Sequence, residues 1–140
     1  MENKNEMNYK KIALMHALIG GLTIPYILNL MIGLILLRIL PFIGAFAYIM
    51  FPLTYILPIV YIGIGVKYSS MYLSKKSSIN NPDVLAKSST IYYTVILISI
   101  SIIFYLIRSV EIIGIEIILV PSFYLFTKKI FHEKINCQNY

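Results

Sequence analysis

Residues 12–37 read IALMHALIGGLTIPYILNLMIGLILL, an unbroken stretch between Lys11 and Arg38 without a formal charge. A helix rises 1.5 Å per residue and needs about 20 residues to cross the ~30 Å hydrocarbon layer of a bilayer. One uncharged run of this length predicts a membrane-spanning helix. The apolar core of a cleavable signal peptide is about 7–15 residues long, so the run is read as a permanent span.

The same reading extends outward. A second uncharged run fills positions 39–66, between Arg38 and Lys67, and Pro41 is a natural place for the chain to reverse between the two. Positions 88–107 form a third uncharged run, and a shorter fourth segment, which contains Glu116, ends before Lys128. The expectation is an all-α integral membrane protein of four transmembrane helices arranged as two helical hairpins. The spans fall at about 12–38, 42–66, 88–108 and 111–127, with a loop at about 67–87 and tails at 1–11 and 128–140, all within a single membrane domain.

Composition agrees with this. Of the 140 residues, 59% are hydrophobic and only 13% charged, with a mean hydropathy of +0.79. Soluble domains carry about 25% charged residues, which excludes a water-soluble enzyme and a disordered chain. The single cysteine, Cys137, excludes a disulfide scaffold and a multi-cysteine metal site. Net charge is +6, but the basic residues are separated by long apolar runs and form no aromatic-lined groove, so nucleic acid is not expected as a partner.

Charge placement orients the bundle. Lys4, Lys10, Lys11, Lys67, Lys75, Lys76, Lys87, Lys128, Lys129 and Lys134 all fall in the tails or between spans two and three. The two opposite turns hold only Arg38 and Arg108. Cytoplasmic segments are the lysine-rich ones, which predicts a cell (inner) membrane protein with both termini cytoplasmic and with anionic lipids against its basic face. Tyr68, Tyr72, Tyr92 and Tyr93 stand where an aromatic belt belongs, and Asn81-Pro82 reads as a helix cap followed by proline at the first helical position.

Functional candidates are the polar and backbone-disrupting residues within the spans. Glu116 comes first, because a charge at the bilayer centre costs at least ~2.5–3.5 kcal/mol and is usually paired or functional. It is one half of an ion pair with Arg38 or Arg108, a proton- or cation-handling carboxylate, or a side chain simply exposed at the outer interface. Arg108 and Glu111, three residues apart, can pair on one helical face. Asn29 and Thr23 lie within span one, where an asparagine commonly bonds across a helix interface. Pro25, Pro52, Pro58 and Pro121 are expected kink positions, each removing one backbone donor.

No catalytic constellation is present. His132-Glu133 is not followed by a second histidine at metalloprotease spacing, and no nucleophile elbow or phosphate-binding loop occurs. No metal or cofactor is expected. Three functions remain open: an accessory subunit of a larger membrane assembly, an oligomeric transporter or channel using Glu116 and Asn29, and a membrane-active protein of the holin or immunity type. The expected partners are the bilayer itself and either further copies of the chain or another membrane protein.

Overall fold

The computed structural model describes residues 2–39, 46–74, 81–108 and 113–138, all of them helical except Asn81. Four helices result. The first is continuous but changes pitch: α1 (Glu2–His16) passes into a π-helical segment (Ala17–Thr23) and then into α2 (Ile24–Ile39). The others are α3 (Phe46–Ser74), α4 (Pro82–Arg108) and α5 (Ile113–Gln138). Three stretches among the described residues are long and apolar enough to cross a membrane: Tyr9–Ile35, Ile56–Ser74 and Pro82–Ile107.

The helices outrun the spans read from charge. The expected loop at 67–87 narrows, because α3 continues to Ser74 and α4 begins at Pro82. Lys67, Ser69 and Ser70 therefore lie on a helix, with both serines buried. Likewise α1 begins well before Lys11, and α5 continues far beyond residue 127. A lysine ends the hydrocarbon layer without ending a helix, since its long stem carries the ammonium to water.

Local chemistry explains where α4 starts. The Asn81 side-chain oxygen accepts from the Val84 N–H at 3.2 Å, and the Asn81 carbonyl accepts from the Leu85 N–H at 3.2 Å. Pro82 follows at the first helical position, where a missing N–H costs nothing. The Tyr9 hydroxyl also donates to the Asn81 carbonyl and ties α1 to this corner. Replacing Asn81 with alanine is expected to destabilise the protein by about 1 kcal/mol in thermal unfolding, with aspartate tolerated.

Two apolar layers hold the bundle. One gathers Ile12, Ala13, Leu73, Leu85 and Phe131, from α1, the end of α3, the start of α4 and α5. The next gathers Ala17, Ile62, Val66, Tyr93 and Phe123. Tyr93, expected in an aromatic belt, is a core residue instead, stacked on Phe123 with ring centroids 4.4 Å apart. Tyr68 and Tyr72 remain exposed.

Polarity is partly inverted relative to a soluble fold. His16, Ser69, Ser70, Ser89 and Thr127 are fully buried, whereas Leu34, Ile91, Leu106, Ile107 and Ile117 are each at least 64% exposed. Lipid tails solvate those apolar side chains as well as a core does, so association rests on close packing and interhelical hydrogen bonds. Among the described glycines, the tightest approach is where the π segment crosses α3. A Cβ on Gly65 would overlap the Gly20 carbonyl oxygen and lie 3.0 Å from Cδ of Pro25. A Cβ on Gly21 would lie 2.5 Å from the Tyr93 ring.

Candidate functional site

The polar interior centres on His16, at the junction between α1 and the π segment. Its Nδ1 is 2.8 Å from the Ser69 hydroxyl on α3, and its Nε2 is 3.1 Å from the Thr127 hydroxyl on α5. One imidazole thus ties three helices together with both ring nitrogens. Phe131 meets the ring edge-on with centroids 5.2 Å apart, and Phe123 lies against it at 5.5 Å.

The hydroxyl partners indicate the tautomer. Ser69 donates to the Val66 carbonyl at 3.1 Å, so towards His16 it acts as acceptor and Nδ1 carries the proton. Nε2 then accepts from the Thr127 hydroxyl. Thr90, Thr94, Ser99 and Ser122 each donate back to the carbonyl four residues earlier on their own helix, whereas the bond shown for Thr127 is to His16. The hydrogen-bond chain runs from Thr127 through His16 and Ser69 to the Val66 carbonyl. Ser69 and His16 are both wholly buried.

The π segment sets this geometry. The Ile24 N–H bonds to the Ile19 carbonyl, and the Thr23 hydroxyl donates to the Leu18 carbonyl at 3.0 Å, both reaching five residues back. Pro25 has no N–H, so a ladder of this spacing leaves the Gly20 carbonyl without its next intrahelical donor. That oxygen is the one against Gly65. The wider turn buries Ala17, Gly20 and Gly21 together and sets His16 against α3 and α5.

Next to the second core layer is a cavity of about 230 Å³, with walls that include Pro25, Asn29, Pro58, Tyr61, Tyr93 and Leu97. Asn29 is exposed and has no hydrogen bond to another described residue. Tyr61 is 3% exposed, and its hydroxyl is buried without a partner among the described residues. A second polar cluster lies at the lysine-rich end. There Asp83 is 3.1 Å from the Lys128 ammonium and 3.4 Å from Nε2 of His132. The hydrogen bond and charge of Asp83 hold the Lys128 ammonium above the usual lysine range.

The expected site residues have different fates. Asn29 reaches the cavity rim, and Thr23 is used locally within the π segment. Pro25 and Pro58 line the cavity, Pro52 lies within unbroken α3, and Pro121 lies inside α5. Arg38 and Arg108 stand at the ends of α2 and α4 and Glu116 on α5, with side chains outside the described residues; Glu111 is itself outside them. His16 and His132 do not share a site, since each has its own partners. No group of three His, Cys, Asp or Glu that could hold a metal occurs among the described residues.

Comparison with known proteins adds no family. The chain matches no protein-family model, and neither a curated protein nor a solved structure is significantly similar to it. The functional reading therefore rests on the geometry alone.

The triad of His16, Ser69 and Thr127 is not visible within any single span. A usable signal was present: His16 follows Lys11 by about a turn and a half of helix, Ser69 comes just after Lys67, and Thr127 directly precedes Lys128. All three polar side chains are thus close to a charged boundary of the same sign.

Proposed function

We propose that this chain is a four-span protein of the cell membrane with both termini cytoplasmic, and that it serves, without catalytic activity, as an accessory subunit of a larger membrane assembly. The layer joining Ile12, Leu73, Leu85 and Phe131 supports alternating helix directions, because it pairs early residues of the first and third helices with late residues of the second and fourth. The exposed Lys10, Lys11, Lys67, Lys87 and Lys129 flank that end and support a cytoplasmic face in contact with anionic lipid. α5 is read as the fourth span because Phe123, Thr127 and Phe131 pack in the same layers as the other three helices.

The observation that carries the subunit reading is Asn29. It is an exposed amide inside the stretch Tyr9–Ile35, surrounded on the helix surface by exposed Tyr26, Leu30 and Met31. A polar side chain at hydrocarbon depth finds a partner on a neighbouring helix, and this one faces outward. Gly33, one turn further on, has nothing within 4 Å of its Cβ position, which leaves room for a second helix to approach.

Native mass spectrometry on the tagged protein, gently extracted from its own membranes, tests the reading. The expected result is a stoichiometric complex with a different membrane protein, which Asn29→Leu releases while helical content is retained. A homo-oligomer would transfer the weight to the transporter or channel alternative. The aromatic filling by Tyr93, Phe123 and Phe131 would then place any pathway between copies. A lone monomer in both the parent and the variant would remove the subunit reading.

A further inference from the structure

The first helix parts from the bundle where its pitch changes. The π segment packs against α3 and α4 as well as α1, but beyond it α2 keeps extensive contact, of the other helices, only with α3 among the described residues. A π turn and a proline are two usual causes of a bend in a helix, and here Pro25 stands just past the π segment. The cavity of about 230 Å³ lies at this parting: α2 supplies Pro25, Tyr26 and Asn29, α3 supplies Pro58, α4 Leu97 and α5 Leu119. Tyr26 and Asn29 are exposed and form its rim towards the bilayer. Asn29 stands nine residues before Arg38, about 13 Å along the helix, and twice as far from Lys11. At that depth water does not supply hydrogen bonds to its amide.

The crevice is smaller than the pockets of roughly 300–1,000 Å³ that enclose small-molecule ligands, and it has room for one large side chain. An acyl chain would fill it but leave the Asn29 carbonyl and amino group unpaired. A helix brings an apolar side chain and a hydrogen-bonding one at a fixed spacing, three or four residues apart on one face. The surface of α2 is divided accordingly. Exposed Ile27, Met31, Leu34 and Ile35 cover the arc away from the crevice and suit lipid. Gly33, one turn beyond Asn29 on the crevice side, has no described neighbour within 4 Å of its Cβ position, which lets a second backbone come close. Resting on the subunit reading, we propose that the partner docks here through one transmembrane helix. Its large apolar side chain, leucine or phenylalanine, sits between Pro25, Pro58 and Leu97. An amide or hydroxyl one turn away bonds to Asn29, and its backbone passes over Gly33.

The test uses the purified full chain in lipid vesicles, with a donor dye on Cys137. The probe is a synthetic span of about 20 leucines flanked by lysines, with one central asparagine and an acceptor dye. Its all-leucine counterpart is the control, and energy transfer is titrated at a low peptide-to-lipid ratio. The asparagine helix is expected to bind saturably at one per chain, about tenfold more tightly than the all-leucine helix. Asn29→Leu is expected to remove that difference, and Leu97→Trp, which fills the crevice, to abolish binding. Leu34→Ala, on the far side of α2, should change nothing. Circular dichroism reports whether each variant stays folded, and if Leu97→Trp misfolds, Asn29→Leu decides alone. No saturable binding, equal binding of the two helices, or binding unchanged by either folded variant overturns the proposal. The two readings fail separately. A native complex that survives Asn29→Leu and Leu97→Trp leaves the chain a subunit but removes the crevice as its docking place. A chain that is alone in its own membranes yet binds the probe as expected keeps the crevice and removes the subunit reading.

Discussion

Gly65→Ala is expected to be the most damaging single methyl group in this protein. The new Cβ would overlap the Gly20 carbonyl oxygen and lie 3.0 Å from Cδ of Pro25. A flexible side chain could rotate away, but a backbone carbonyl and a proline ring cannot. The first helix and α3 must therefore separate along the crossing on which bilayer packing depends. Overpacking usually costs about 1–3 kcal/mol, and a clash with rigid backbone is expected to exceed about 3 kcal/mol. Thermal unfolding of the purified protein in one fixed detergent provides the measurement. Gly33→Ala is the control, since nothing lies within 4 Å of its Cβ position and alanine favours a helix interior over glycine, so its stability should match or slightly exceed the parent. Equal melting temperatures for Gly65→Ala and Gly33→Ala would refute the crossing.

His16→Ala is expected to follow, with a loss of about 3 kcal/mol. The substitution removes two buried hydrogen bonds and leaves a void between Phe123 and Phe131, and large-to-small changes at sealed sites cost about 2–5 kcal/mol. His16→Phe separates the two contributions. It keeps a ring against both phenylalanines but forms no bond to Ser69 or Thr127. The freed Thr127 hydroxyl can turn back to its own helix, so His16→Phe should recover a large part of the loss. A double-mutant cycle of His16→Phe with Thr127→Val then measures the polar tie directly. Additive effects in that cycle would show that the bond between His16 and Thr127 adds nothing to stability.

Much of the fold is legible in the chain before any folding. The uncharged runs at 12–37 and 39–66 announce membrane-length helices because helix rise and bilayer thickness are both fixed lengths. The start of α4 is equally local, since Asn81 and Pro82 specify a cap through their own side chain and ring. Helix ends beyond the lysines were not legible, because lysine marks where water begins and not where the backbone stops. The site was least legible. His16, Ser69 and Thr127 belong to three different helices, far apart along the chain, and no local signal states which faces will meet.

The sequence by itself determined that the chain is helical, the least length its apolar helical stretches must have and where positive charge interrupts them, because these depend only on distances along the chain. Tertiary structure alone decided that Gly20 meets Gly65, that the π segment presents His16 to two hydroxyls, and that a cavity remains beside Tyr61. In water, burial sorts residues around a helix by polarity and so writes the packing face into the sequence. In a bilayer both the core and the surroundings are apolar. A face made of isoleucine and leucine is then equally at home inside or outside, and only shape and a few hydrogen bonds choose between them.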